Sequence, residues 1–347
     1  MLTRRNFLGG LGVAGVSALA LAACDSADED TDGADGATTD ETSDSASEDG
    51  DDATEAVTVR IGNGYYLKYA YESGVLDDIL ADVNVELEFY DFSSGPAQNE
   101  SFAANALDFG YMNHFPAFTG ATAYGTRILA TCNATEVDGV LVATPASGIE
   151  TIADLEGKTV GSYVGGSWHY CTSLYLESVG LTLDDIELIN TTSETASSLR
   201  TESIDAGVIG VTTAYALVDE GTASIVADKT GKLTYSALCG HPDFIEAYPE
   251  VTTAIVKAFA AAFEYADADP EGYADFYEEL TSTDTSITLE TWDIYDRTAT
   301  VPGPEELEAS EDLLAWMQAN DYANTGYVVD DLFDLSFAEA AGLTESA

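Results

Sequence analysis

The sequence predicts an α/β fold, and two observations carry that prediction. From Val57 onward the apolar residues recur alternately with a period of two and a period of about 3.6, which are the periods of strands and helices. The chain has 347 residues, enough to bury a large hydrophobic core. We therefore expect strands that alternate with helices in the first part of the folded body, followed by a helical C-terminal region.

Each predicted element follows from the local period. We expect strands over residues 57–61, 83–89, 107–111, 140–143, 159–162, 186–189, 206–209 and 224–228. We expect helices over residues 168–179, 194–200 and 212–219, with further helical stretches between the first three strands. After Pro249 the helical period takes over, which predicts consecutive helices over residues 251–266, 271–280 and 305–319.

The charge balance is strongly acidic. The chain has 63 Asp and Glu residues against 11 Lys and Arg residues, a formal net charge of -52. Binding to a phosphate backbone needs many cationic side chains, so nucleic acid is excluded as a partner. An acidic surface keeps a protein soluble and suits high ionic strength, but it does not identify a ligand.

Residues 1–24 have the anatomy of a signal peptide. Arg4 and Arg5 precede an apolar run over residues 7–20, and this segment resembles a twin-arginine export signal, although the choice of export route stays open. Leu21-Ala22-Ala23-Cys24 resembles a bacterial lipobox, which predicts cleavage before Cys24 and lipidation of its thiol. The alternative is an uncleaved membrane anchor that ends at Cys24. Both interpretations place the protein outside the cytoplasm and anchor it to the cell membrane.

Residues 25–56 form an acidic segment without Lys, Arg or aromatic residues, and its other positions are small. Such a composition cannot build a hydrophobic core and is typical of a disordered chain. We interpret the segment as a tether between the lipid anchor and the folded body.

Three cysteines follow Cys24, at Cys132, Cys171 and Cys239. Their odd number and the lack of a CxxC spacing indicate neither a zinc site nor a disulfide framework, and no metal is expected. A secreted Cys/His enzyme would use His169 with Cys171, or His114 and His241. Residues two apart on a helix do not share a face, which argues against the first pair.

No cofactor is expected either. Gly62-Asn63-Gly64 lacks the third glycine of a dinucleotide loop because Leu67 takes its place, and no GxxxxGK[ST] motif occurs. Catalysis is therefore the less favoured interpretation, and we expect a protein that is not an enzyme.

Small polar residues stand between several strands and the helices that follow them. These turns are Ser93–Pro96, Asn113–Pro116, Gly165–Ser167, residues 191–193 and Thr212–Thr213. Helix capping explains each turn taken alone. In an open α/β sheet, however, such turns meet at the carboxyl ends of the strands, where ligands bind and where helix N-termini attract anions. Together they predict a ligand cleft.

Five segments carry a resemblance to a known family. They are Arg60-Ile61-Gly62, Phe92–Pro96, Leu107–Tyr111, Ile152–Val160 and Ala247–Glu250. In order and spacing this set, which spans about residues 57–270, resembles substrate-binding lipoproteins of ABC transporters, in particular the nitrate, sulfonate and taurine binding family. The resemblance implies a two-lobed type 2 periplasmic-binding-protein fold that closes on its ligand by a hinge. Lobe 1 would comprise residues 57–142 and 236–347, and lobe 2 residues 143–235.

The resemblance also implies a set of ligand contacts. The anionic group would be held by turn residues, here Ser94, Gly95, Asn113, His114, Gly166, Ser167 and His169. The organic part would lie near Tyr65, Lys68, Trp168, Thr212 and Thr213, where Gly210–Thr213 replaces a Trp-Asp-Pro type segment and residues 65–69 are unusually aromatic. Both departures leave the ligand subclass open.

We interpret the chain as an extracytoplasmic solute-binding protein, expected to be monomeric, that delivers a small organic anion to an ABC transporter permease. Lys68 beside the cleft favours a sulfonate, a carboxylate or nitrate and opposes a cationic ligand. The alternatives are an aromatic heterocycle that stacks on the cleft aromatics, or a quaternary ammonium compound in an aromatic cage near Asp91 or Asp108.

Overall fold

The computed structural model describes residues 56–191 and 194–346. The predictions for the signal peptide, for Cys24 and for all but the last residue of the tether lie outside the described residues. So do Thr192 and Ser193 of the predicted turn at 191–193.

Eleven strands occur in the described residues. They are β1 (Val57–Gly62), β2 (Val85–Tyr90), β3 (Phe109–Asn113), β4 (Arg127–Thr135), β5 (Gly139–Ala143), β6 (Thr159–Ser162), β7 (Glu187–Asn190), β8 (Ala206–Gly210), β9 (Ser224–Ala227), β10 (Thr234–Gly240) and β11 (Ala299–Thr300). They form a six-stranded sheet in the order β11-β4-β10-β3-β1-β2 and a five-stranded sheet in the order β7-β6-β8-β5-β9. The first three strands of the chain pair in parallel, whereas β10 runs antiparallel to both β3 and β4.

Thirteen α-helices accompany these strands in the same residues. They are α1 (Tyr65–Glu72), α2 (Asp77–Leu80), α3 (Gly95–Ala103), α4 (His114–Tyr124), α5 (Ser167–Ser178), α6 (Thr195–Arg200), α7 (Val211–Asp219), α8 (Pro242–Ala247), α9 (Pro249–Ala268), α10 (Pro270–Thr281), α11 (Thr285–Glu290), α12 (Pro304–Ala319) and α13 (Ser336–Ala340). The α/β class and the helical C-terminal region are confirmed.

Three strands of the first sheet were not predicted, namely β4, β10 and the two-residue strand β11. Both β4 and β10 are buried over most of their length, so their side chains do not alternate between apolar and polar positions. They instead mix Thr, Ser, Cys and Ala with larger apolar residues, and the period of two is hidden. The predicted third strand, residues 107–111, in fact begins two residues later as β3.

The hydrophobic core has four clusters. One packs α1 and α9 against the first sheet and includes Ile61, Phe259 and Phe263, and a second lies beside α4 and α12. The other two clusters contain the buried side chains of the second sheet with α5, α6 and α7. Among the described residues, no helix combines the length and apolar character that a bilayer span requires.

Candidate functional site

A cavity of about 750 Å³ lies between the two sheets, and we call it the cleft. Its wall includes residues that follow β1, β2 and β3 on one side and β6 and β8 on the other. Of the twelve residues predicted to contact ligand, nine line the cleft: Tyr65, Ser94, Gly95, Asn113, Gly166, Ser167, Trp168, Thr212 and Thr213. The strand-to-helix turns that are far apart in sequence therefore meet at one place in the fold.

The turn before α3 is held by capping and by close packing. The Ser94 hydroxyl accepts a hydrogen bond from the Ala97 N–H at 3.4 Å, which satisfies one free donor at the start of the helix. A Cβ atom on Gly95 would stand 2.3 Å from Cβ of Pro116 at the start of α4. Glycine at position 95 thus allows the N-termini of α3 and α4 to approach each other in the cleft wall.

The turn before α5 contains two glycines with different roles. Gly165 has a φ of +81°, a conformation that favours glycine, whereas Gly166 has a φ of -123° that other residues adopt freely. Gly166 is the N-cap of α5, and the N–H groups of Ser167 and Trp168 precede the first intrahelical bonds. Two free donors therefore stand at this edge of the cleft.

The Trp168 ring lies over two glycine backbones. A Cβ on Gly139 would come within 2.9 Å of the ring, and a Cβ on Gly210 within 3.2 Å. Because Gly139 and Gly210 have no Cβ atom, the indole ring of Trp168 can lie against their backbone. The Gly210–Thr213 segment therefore both seats Trp168 and supplies Thr212 and Thr213 to the lining.

Helix N-termini around the cleft have no acidic residue in the first turn. This holds for α1, α3, α4, α5 and α7, whose first residues or N-caps line the cleft. A sixth helix, α6, reaches the cleft with Thr195 and Ala196 but has Glu194 at its N-cap. Because a helix N-terminus carries about half a positive charge, each of the five acid-free termini adds positive potential to this wall.

Lys68, His114 and His169 are not among the residues that line the cleft. The Lys68 ammonium lies 4.0 Å from the Glu72 carboxylate on the outside of α1. His114 is 1% exposed and hydrogen-bonded to Thr234, and burial lowers its pKa to about 3. His169 packs edge-on against Trp316 and Tyr322, and its Nδ1 accepts a bond from the Gly165 N–H.

Ten aromatic side chains line the cleft, and all of them are Tyr or Trp: Tyr65, Tyr66, Tyr111, Tyr163, Trp168, Tyr235, Tyr273, Tyr277, Trp292 and Tyr295. Tyr66 and Tyr273 stack with ring centroids 4.5 Å apart and planes 6° apart. Each ring brings an O–H or N–H group as well as an apolar face, so the wall suits a ligand with both ring and polar atoms.

The sequence prediction missed the part of this wall that comes from residues 273–297. The signal in the sequence was the density of Tyr and Trp at 273, 277, 292 and 295. These residues follow the second sheet by many positions, yet Tyr295 packs against the helices of that sheet. The segment therefore returns to the cleft from the C-terminal region.

Among the described residues that line the cleft, Arg297 is the cationic one, whereas the sequence predicts Lys68 for that role. It is 7% exposed, and its guanidinium carbon lies 3.8 Å from the centroid of the Trp292 ring. Its Nε donates to the Asp267 carboxylate at 2.5 Å, and its Nη1 donates to the Trp292 carbonyl at 2.6 Å. Burial raises the pKa of the Tyr66 phenol, and the neighbouring Arg297 guanidinium opposes that rise.

Asp138 is the acidic residue of the same described lining. Its carboxylate accepts hydrogen bonds from the Asn113 side-chain amide and, at 3.5 Å, from the Cys171 thiol. Desolvation raises the pKa of Asp138 to about 6. Burial also raises the pKa of the Cys171 thiol well above its usual value, so the thiol is protonated at neutral pH.

The structure does not join the Cys171 thiol to the His169 imidazole. Cys171 bonds to Asp138, whereas His169 on the same helix contacts Trp316 and Tyr322. Within the described residues no group of three or more His, Cys, Asp and Glu side chains is arranged to hold a metal ion. The described lining of the cleft offers free N–H groups, hydroxyls and aromatic faces, together with the Arg297 guanidinium and the Asp138 carboxylate.

Comparison with known proteins gives a consistent result. Residues 81–273, more than half of the chain, match the family described as NMT1/THI5 like. A protein of Brucella abortus (strain 2308), named as a binding protein, is 26% identical over 199 residues, which are 56% of this chain and 61% of that protein. The chain thus spans about three fifths of the length of that relative.

Two further proteins are similar over longer stretches. A protein of Bacillus subtilis (strain 168), named for the binding of aliphatic sulfonates, is 26% identical over 226 residues, 64% of this chain and 68% of that protein. The structure of the periplasmic aliphatic sulphonate binding protein SsuA from Escherichia coli superposes with a TM-score of 0.70 at 17% identity, covering 80% of this chain and 97% of that one. The two-lobed periplasmic-binding-protein fold is thereby confirmed.

Proposed function

Because this chain belongs to the NMT1/THI5-like family, we propose that it is an extracytoplasmic solute-binding protein that delivers a small organic anion to an ABC transporter. The observation that carries the anion is the cleft wall. Five helix N-termini without a first-turn carboxylate converge there, in a chain whose net charge is -52. Backbone N–H groups and the positive ends of helix dipoles are the standard protein site for sulfonate-like and carboxylate groups.

The organic part of the solute would lie against the Tyr and Trp rings. Rings from α1 and α10 stand on the side of the first sheet, and Trp168 stands on the side of the second. Aromatic faces favour a ring or a compact alkyl body over a bare inorganic ion such as nitrate. The names of the Bacillus relative and of SsuA support a sulfonate as the anionic group.

A neutral aromatic heterocycle is the second candidate, and the ten Tyr and Trp side chains of the lining favour it. A quaternary ammonium compound would use the same rings, but Arg297 in the lining opposes a cation without a counter-charge. Only an organic anion needs the helix N-termini for binding. Substitutions at these termini should therefore weaken the binding of an anion and leave the binding of the other two candidates unchanged.

The remaining parts of the proposal follow the sequence expectations. Lobe 1 would comprise residues 57–142 and 236–347 and lobe 2 residues 143–235, as expected from the sequence. Since β5 pairs in the second sheet and β10 in the first, the hinge would lie slightly outside these bounds, at the crossings between β4 and β5 and between β9 and β10. Cys24 would carry the lipid that anchors an otherwise monomeric protein to the cell membrane. Its cargo would pass to a permease partner.

Isothermal titration with a panel of solutes tests the proposal. The panel contains taurine, ethanesulfonate, 4-methylbenzenesulfonate, nitrate, 2-aminopyrimidine and glycine betaine. We expect saturable binding of at least one sulfonate, with a rise in melting temperature, because a ligand at 100 times its Kd stabilises the folded state by about 2.7 kcal/mol. Binding of 2-aminopyrimidine alone would contradict the anion, because it is the panel member without an anionic group, and turnover of a bound solute would contradict the transport role.

A further inference from the structure

Two side chains fix the turn that precedes α5. Oδ1 of Asn190 accepts a hydrogen bond from the Val164 N–H at 3.2 Å, and Nδ1 of His169 accepts one from the Gly165 N–H at 3.4 Å. The second bond reaches back from the first turn of α5 to the residue before its N-cap. It therefore fixes the turn relative to the helix whose free N–H groups stand at the edge of the cleft.

The His169 imidazole is itself held from outside the cleft. It makes edge-on contacts with the rings of Trp316 and Tyr322, at centroid distances of 5.4 and 5.9 Å. The Tyr322 hydroxyl lies 3.5 Å from Nδ1 of His169, and a Cβ atom on Gly165 would stand 3.4 Å from the Tyr322 ring. None of these side chains lines the cleft. We call Trp316 and Tyr322 the clamp.

The chain that follows α12 builds the clamp. Asp321 has a φ of +62°, and the Tyr322 N–H donates to the Met317 carbonyl at 2.8 Å, so the chain reverses directly after the helix. This reversal stacks the Tyr322 ring on that of Trp316, with centroids 5.7 Å apart and planes 5° apart. Phe115 of α4 contacts both rings. The clamp therefore belongs to the core beside the first sheet, whereas α5 also packs on the second sheet.

We infer that Trp316 and Tyr322 are positioning residues for the anion site, because they hold the imidazole that fixes the N-terminal turn of α5. This inference rests on the proposed function and adds to it two residues that lie outside the cleft. A helix terminus binds an anion best when its N–H groups keep their direction, since hydrogen bonds weaken steeply as they bend. The clamp also ties this terminus to the core beside the opposite sheet.

Packing alone is the competing explanation, because the same rings stabilise the core. A packing role would lower the free energy of unfolding and leave the affinity of the folded protein unchanged. A positioning role lowers the affinity, and it does so through His169. Phe333 offers a matched control, because it packs against the same core cluster and its ring contacts Phe118 on α4 rather than α5.

Titration calorimetry with ethanesulfonate and 4-methylbenzenesulfonate measures the affinity, and urea denaturation measures the stability. We expect Tyr322→Leu to weaken the binding of both sulfonates about tenfold, as residues that act on a site without touching the ligand can do. Tyr322→Phe keeps the ring and should bind within about threefold of wild type. Phe333→Leu should lower the stability and keep the affinity.

A double-mutant cycle tests whether Tyr322 acts through His169. His169→Phe keeps a ring but removes the acceptor of the Gly165 N–H, so it should weaken binding about tenfold by itself. The double variant Tyr322→Leu with His169→Phe should then bind about as weakly as His169→Phe alone, whereas independent effects would multiply to about a hundredfold. Multiplied losses would overturn the inference.

The remaining outcomes separate the inference from the proposed function. Unchanged affinity in Tyr322→Leu, or an equal loss of affinity in Phe333→Leu, would overturn the inference and leave the proposed function standing. No binding of any sulfonate by the wild-type protein would overturn both. Trp316→Leu decides the matter if Tyr322→Leu does not fold, because it removes the other ring of the clamp. It should weaken binding as well, and wild-type affinity in this variant would contradict the inference.

Discussion

Helix N-termini in the cleft differ from those elsewhere in the described part of the chain. The helices α2, α8, α9, α10, α12 and α13 begin away from the cleft, and each carries Asp or Glu in its first turn. The helix α11 also begins away from the cleft and carries its carboxylate at the N-cap, as Asp284. The helices α1, α3, α4, α5 and α7 begin at the cleft and carry none. A first-turn carboxylate stabilises a helix by about 0.3–1 kcal/mol.

That difference is informative because acidic residues are abundant. The chain contains 63 Asp and Glu residues, so their absence from the first turns of five neighbouring helices is not explained by a low acidic content. The outer helices, which begin away from the cleft, have side-chain carboxylates next to the positive ends of their dipoles. We infer that at the inner helices, which begin at the cleft, the anionic group of a solute takes the place of that carboxylate, at a small cost in the stability of the free protein.

The largest effect is expected at Arg297, where a charge is held inside the cleft rather than on the surface. Arg297→Ala removes an ion pair, a carbonyl contact and the packing on Trp292. Because the Asp267 side chain is 46% exposed and can be solvated, we expect a loss of about 2 kcal/mol in the free energy of unfolding rather than the full cost of breaking a buried pair. Urea denaturation measures this change, and sulfonate affinity should fall with it.

The outer-surface counterpart is Arg200→Ala. Arg200 and Glu220 form a pair whose side chains are 43% and 42% exposed. Its loss should cost less than about 1 kcal/mol and leave solute affinity unchanged. Equal losses from Arg200→Ala and Arg297→Ala would contradict the distinction between cleft and surface charges.

A carboxylate placed at an inner helix terminus should weaken binding without harming the fold. Gly166→Asp puts one at the N-cap of α5, where the backbone angles admit a side chain and Asp is a favourable cap. We expect sulfonate affinity to fall about tenfold or more, while the melting temperature is kept. Titration calorimetry and thermal unfolding measure the two properties.

Gly166→Asn is the matched neutral variant, because it has the same shape and caps a helix equally well. Its affinity should stay within a few fold of wild type. If both variants weakened binding alike, the effect would be steric and the N-terminus of α5 would not be an anion contact.

The sequence predicted the inner set of turns better than the wall opposite them. Ser94, Asn113, Ser167 and Thr212 follow strands whose apolar period is clear, so their position at one sheet edge could be inferred from topology alone. Lys68 is close in sequence to cleft residues, but on α1 its ammonium pairs with Glu72. The face of α1 that points to the cleft decides whether Lys68 can line it. The hydrophobic period of this short, aromatic helix does not determine that face.

Asp138 and Arg297 could not be found from local pattern. Asp138 follows β4, a strand whose period is hidden by burial on both faces. Arg297 lies between α11 and β11, and its approach to the cleft depends on how the C-terminal helices pack over a long sequence separation. Both residues lie in connections between elements that are distant in sequence. The hydrophobic period of one segment does not predict how such a connection is placed in the fold.

A smaller effect is expected where an outer carboxylate is removed. Glu305 lies exposed in the first turn of α12, so Glu305→Gln should lower the free energy of unfolding by about 0.5 kcal/mol. Solute affinity should not change, because this terminus is outside the cleft. A change in sulfonate affinity by calorimetry would show that the comparison between inner and outer termini is misplaced.

No effect on binding is expected from the segment before the folded body. Cys24→Ser should release the protein from the membrane fraction, and a chain that starts at Ala56 should bind sulfonate as the mature protein does. Cell fractionation and calorimetry check these two outcomes. A fivefold weaker affinity after truncation, about 1 kcal/mol, would contradict the role of residues 25–56 as a tether.

A crystal structure of the complex with the tightest-binding solute of the titration panel tests the central claim most directly. The account predicts that the solute lies between the two sheets, with its anionic group within hydrogen-bond distance of a backbone N–H at an acid-free helix terminus such as Ser167 or Tyr65. Its organic part should contact the Tyr and Trp rings of the lining. A solute bound outside the cleft, or one whose anionic group faces away from all five termini, would contradict it.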